Sequence, residues 1–152
     1  MLFFWIKILH VISSAILLGT GLGTAFYMFC VNQQKNIKLI AGVTKQVVFV
    51  DWIFTGSSAV VQFFTGMMLL GIKGYSPFLP WVVFSVVGYV IAAFYWFVVV
   101  YLQIRCRDLA FDAFQNNAPL SEQYYRCYRW WWIVSIPTFL SLMGVFYLMV
   151  NK

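Results

Sequence analysis

The sequence predicts an all-α protein, a four-helix bundle integral to a membrane, on three observations. Only 9% of its 152 residues are charged and 63% are hydrophobic, whereas a soluble domain carries about a quarter charged residues. Four apolar runs, about 3–31, 47–72, 80–104 and 130–150, each exceed the roughly twenty residues a helix needs to cross a hydrocarbon core. Sixteen Phe, nine Tyr and seven Trp supply lipid-facing bulk and interfacial anchors. The length fits a single transmembrane domain, 1–152, without a separate soluble one.

The first run is interrupted only by Lys7 and His10. Gly23-Thr24-Ala25 offers a small-residue cleavage site, but the apolar run continues through Phe26-Tyr27-Met28-Phe29 and is too long for a signal-peptide core. It reads as a retained helix. Gly74-Tyr75-Ser76-Pro77 makes a tight turn after the second run, and Pro80 suits the first turn of the third helix, where no N–H is needed. Arg105 to Phe114 keeps a helical composition, Asn116-Asn117-Ala118-Pro119 reads as a turn, and Ser121 can cap a helix that carries Glu122 in its first turn. The loops are therefore short, and helices three and four extend beyond the membrane as a cytoplasmic helical hairpin. Trp130-Trp131-Trp132 marks the membrane surface on the fourth span, and Pro137 is predicted to kink it.

The net charge of +6 does not point to nucleic acid, because the basic residues flank the apolar runs instead of forming a continuous soluble patch. Lys35, Lys38, Lys45, Arg105, Arg107, Arg126 and Arg129 fall on one side of the membrane, Lys7, Lys73 and Lys152 on the other. The positive-inside bias predicts a multi-pass protein of a bacterial inner membrane with both termini periplasmic. Cys30, Cys106 and Cys127 lack paired-motif spacing and imply no disulfide framework. Cys106 and Cys127 are equidistant from the Asn116-Asn117 turn, so an antiparallel hairpin brings them to one height. They read as buried thiols, with a three-thiolate metal or redox site as the alternative.

In so apolar a chain the polar exceptions carry the information. Lys7, His10, Ser14, Gly21, Thr24 and Met28 share one face of the first helix, and Asp51, Thr55, Ser58, Gln62 and Thr65 share one face of the second. These stripes are expected to face each other, since lipid offers polar groups no partner. His10, Gln62, Tyr89 and Tyr147 are expected to converge in a pocket of the outer leaflet. Asp51 is expected near the cytoplasmic surface, at the start of the second helix, paired with Lys45 or a loop arginine. Gly19-x-x-x-Gly23 is a helix-contact motif that serves either packing within the chain or a homodimer or membrane partner.

His10 is the only histidine. Among apolar neighbours its ring is neutral and either hydrogen-bonded as part of the packing or able to ligate haem b. In the second case Met143, Met67 or Met68 is the candidate opposite ligand, or that position stays open. Trp5-x-Lys7-x-x-His10 followed by Gly19-Thr20-Gly21-Leu22-Gly23 resembles the first helix of HemJ-type protoporphyrinogen oxidases and of CopD-type membrane proteins. That resemblance implies a haem-associated membrane oxidation with Lys7 and His10 at the site. Carry-over stops there, because the further histidine of that pattern is replaced by Phe26-Tyr27-Met28. Leu9-His10-Val11, Asp51-Trp52-Ile53-Phe54-Thr55 through Gln62 to Gly66, and Pro137-Thr138-Phe139 to Val150 give nearly the whole chain a closer resemblance to domain-of-unknown-function family 2269, small bacterial integral membrane proteins. No nucleophile–base pair, phosphate-binding loop, zinc signature or paired acid carboxylates are present, so hydrolysis and phosphoryl transfer find no residues. Three readings remain: a structural or accessory interaction protein, a haem-b redox protein, and a carrier of an ion or small molecule.

Overall fold

The computed structural model describes residues 1–151. It consists of α1 (Leu2–Gln33), α2 (Ile37–Val50), a π-helical stretch (Asp51–Gly56), α3 (Ser57–Lys73), α4 (Pro80–Gln115) and α5 (Glu122–Val150), with no strand among the described residues. The α2, π and α3 segments run on as one helix of 37 residues, which leaves four helices long and apolar enough to cross a membrane. The chain divides into two compact units, Met1–Ser76 and Pro77–Lys152. Each is an antiparallel helical hairpin.

The first hairpin departs from the sequence expectation in where its second helix starts. The connection before the second helix is short, with Lys35 at φ 52 in the left-handed region and the chain helical again from Ile37. Asn36 is extended and its side chain accepts the Leu39 N–H at 3.3 Å, the usual chemistry of a helix start. Ile40, Ala41, Thr44, Val47 and Val48 are buried while Lys38 and Lys45 are exposed. Average hydropathy missed this amphipathic segment because its exposed lysines offset its buried face. At the far end Gly74 adopts φ 65, a conformation with little strain for glycine, and the Tyr75 N–H closes on the Leu70 carbonyl at 3.1 Å.

The second hairpin consists of α4 and α5. Leu79 is extended and Pro80 occupies the first turn of α4. The helix continues well past Ile104 to Gln115, and Ser121 caps α5 by accepting the Tyr124 N–H at 3.3 Å. The predicted helical extension is therefore present. α5 runs through Pro137 without a break. A Cβ on Gly88 would lie 2.9 Å from Val145 Cγ2, so α4 and α5 approach closely where glycine removes the side chain.

Burial is inverted relative to a soluble protein. Asp51, Gln62, Thr65, Ser13 and Thr24 are buried, while Phe26, Phe94 and Leu140 are 65%, 66% and 62% exposed. Such a surface suits lipid as solvent.

Candidate functional site

The polar residues of the first hairpin form a seam between α1 and the continuous helix that follows. At one end, His10 lies against α3. Its Nδ1 is 2.8 Å from Thr65 Oγ1, and the Gln62 amide nitrogen is 3.0 Å from its Nε2. The Ser13 hydroxyl donates to Gln62 Oε1 at 2.7 Å, and the Thr65 hydroxyl donates to the Val61 carbonyl at 2.6 Å. A neutral imidazole carrying its hydrogen on Nδ1 satisfies these four bonds together. Gly66 completes the seat, since a Cβ there would come within 3.3 Å of the ring carbon Cε1.

At the other end, Asp51 is 3% exposed. Its Oδ1 accepts the hydroxyls of Thr24, from α1, at 3.2 Å and of Thr55, one turn on, at 3.1 Å. This corrects the expected position. Asp51 does not start the second helix but follows fourteen residues of α2 and opens the π stretch. π segments inside α-helices are rare and recur at functional sites. Thr24 is fourteen residues beyond His10 on α1, so the two ends of the seam stand about 21 Å apart along the helix axis. Thr55 and Ser58, both buried, lie between them. If the apolar run of α1 is centred, both ends fall within a hydrocarbon core of about 30 Å.

The two stripes predicted from sequence thus face each other from His10 to Asp51. Ser14 is buried but donates to the Val11 carbonyl of its own helix; its neighbour Ser13 makes the bond across the interface. Ser13 and Gly66 were missed. Their spacing from His10 and adjacency to Thr65 were visible, but which of two adjacent serines crosses to Gln62 depends on the helix rotation. Lys7 is exposed. Tyr89, Met143 and Tyr147 belong to the second hairpin, with Tyr89 half-buried and Met143 and Tyr147 exposed. Met67 and Met68 lie on α3 and are exposed. As packed, His10 engages both ring nitrogens with protein partners, and an axial bond to haem iron would require Gln62 or Thr65 to withdraw. Among the described residues no cluster of three or more His, Cys, Asp or Glu side chains could hold a metal ion.

Four membrane-length helices, polar inside and apolar outside, define a multi-pass integral membrane protein. The chain belongs to domain-of-unknown-function family 2269, described as predicted integral membrane protein, whose sequence model matches residues 4–152. No curated protein and no solved structure matches the chain.

Proposed function

We propose that the first hairpin is a proton-responsive element and that the protein couples protonation of Asp51 and His10 to the movement of an ion or small solute across a bacterial inner membrane. One observation carries this reading: two ionisable side chains share one buried intramembrane seam, each held by the opposite helix. A seam serving adhesion alone needs only Ser, Thr and Gln. A charged side chain inside a membrane helix carries an insertion cost, about 2.5–3.5 kcal/mol at the very centre, and Asp51 lies off that centre.

The seam also supplies a switch. In the neutral state the Gln62 amide donates to His10 Nε2. A proton on Nε2 would oppose that amide and favour a flip that presents Gln62 Oε1 to the ring. Ser13 can then accept from the amide while donating to the His10 carbonyl, already 3.0 Å away. Both states are fully bonded, so proton uptake is linked to a side-chain rotation. The groups of α3 that face the ring, Gln62 and Thr65, are uncharged; Lys7 on its own helix is exposed, and Lys73 stacks over Phe3 at 4.9 Å. Purified protein in vesicles loaded with a pH dye should relax an imposed proton gradient, and Asp51→Asn and His10→Gln should each slow that relaxation at least fivefold. Wild-type vesicles as tight as empty ones under all tested solutes would sink the proposal.

Two other readings have their own support. Haem b on His10 rests on the resemblance of the first helix; a Soret band abolished by His10→Ala would establish it, and a colourless protein after haem supplementation would remove it. An accessory role through Gly19 and Gly23 is supported by the open space beside them: a Cβ at either glycine meets nothing within 4 Å. The excess of basic residues on the Lys35 to Lys45 and Arg105 to Arg129 side supports periplasmic termini.

A further inference from the structure

The second hairpin holds a pair of thiols that the seam does not use. Cys106 on α4 is fully buried, and Cys127 on α5 packs against the turn of α4 that leads to it. The Cys127 thiol is 3.6 Å from the Leu102 carbonyl, to which it donates. Neither cysteine is in a disulfide, and Cys127 is only partly buried. The register that brings them together is visible elsewhere. Gly88 stands against Val145, and counting eighteen residues on along α4 and eighteen back along α5 pairs Cys106 with Cys127, in keeping with the Cys127 contact to Leu102. Leu102 lies one turn before Cys106 on α4, so the Cys127 sulfur sits against the same turn that carries Cys106; a bridge there needs Cα atoms roughly 4.4–6.8 Å apart.

From this geometry we infer that Cys106 and Cys127 are a reversible dithiol/disulfide site, oxidised by a hydroperoxide, that ties α4 to α5 near their connecting turn. The partly exposed sulfur reacts first. The Cys127 thiolate attacks a peroxide oxygen, the O–O bond breaks, and water leaves once a proton is taken up, so that Cys127 becomes a sulfenic acid. The Cys106 sulfur then attacks the Cys127 sulfur, the S–O bond breaks, and a second water leaves with the Cys106 proton. Two thiols are oxidised by two electrons and one peroxide is reduced to two waters. Burial and the neighbouring thiol raise the pKa of Cys106, which keeps it protonated and unreactive until a sulfenic acid forms beside it. The second step is therefore favoured by proximity, not by thiolate character. A small dithiol reduces the bridge by attacking the Cys127 sulfur and releasing Cys106 as a thiol; its second thiol then displaces Cys127, so the reductant leaves as a disulfide and both cysteines are thiols again.

The test uses the full chain in detergent, with Cys30→Ser to leave only this pair. Hydrogen peroxide should remove both maleimide-reactive thiols of the unfolded protein, and dithiothreitol should restore both. Mass spectrometry of the digest should show the two cysteine peptides joined, with the loss of two hydrogens. In the Cys106→Ser variant, peroxide should leave a dimedone-reactive Cys127 and no bridge. A Cys127 driven to sulfinic acid in the presence of Cys106, a bridge found only between two chains, or two thiols still reactive after peroxide would each overturn the inference. Serine preserves size at both positions, and unchanged helical circular dichroism confirms that each variant is folded.

Discussion

In the first hairpin the contacts between helices run through polar side chains: His10 to Thr65 and Gln62, Ser13 to Gln62, Thr24 to Asp51. In the second, Ser85, Ser135 and Thr138 donate to the carbonyls of Trp81, Trp131 and Val134 on their own helices. Close approach there falls to Gly88 against Val145, to the thiol pair, and to a ladder of Tyr124, Tyr128 and Trp131 stacked along α5. A hydroxyl in lipid needs only some acceptor, and the carbonyl one turn back is the nearest. Bonds that cross between helices are thus informative, because local satisfaction was available for Ser and Thr. In the first hairpin they gather at the two ionisable groups, His10 and Asp51.

The largest effect is expected in the second hairpin. Gly88→Leu places branched carbon where Val145 already lies within 2.9 Å of a bare Cβ and should destabilise the protein by about 1–3 kcal/mol in reversible unfolding from detergent. Val145→Ala should recover part of that loss; no recovery would mean that the contact is not the cause. Next, Gln62→Leu strips partners from His10 and Ser13 together and should cost about 1–3 kcal/mol, while Gln62→Glu should retain the acceptor for Ser13. Equal stability of Gln62→Leu and wild type would show that the seam is only glue of about 0.6 kcal/mol per bond.

A smaller effect comes from pH. The raised pKa of Cys106 means that the folded thiol holds its proton more tightly than the unfolded one. Its contribution to stability is full below the ordinary thiol value of 9.0 and is lost as pH rises above it. Unfolding followed from pH 8 upward should steepen above about 9 in wild type and flatten in Cys106→Ala; parallel curves would contradict the assigned cause. Smallest of all, Gly19→Leu should change stability by less than about 0.5 kcal/mol, since nothing lies within 4 Å of its Cβ position. A drop in oligomer size on chromatography with this variant would identify the glycine face as an interface between chains.

The class of protein was legible in the residues, because lipid as a solvent demands long apolar helices and few charges, and both are properties of composition. The capped extension at Ser121, Pro80 at a helix start and the shared height of Cys106 and Cys127 were legible for a similar reason: each depends on local chemistry or on counting from a turn. The position of Asp51 was not. A window average ends a span where lysines begin, whereas a helix continues as long as its buried face does, and so Asp51 was expected at a terminus that lies fourteen residues upstream. The choice of Ser13 over Ser14, and the occupation of both His10 nitrogens, depended on rotation of one helix about its axis against another. Periodicity places residues on a face to within one position. Hydrogen bonds are sensitive to a few tenths of an ångström, and only tertiary packing sets distances that finely.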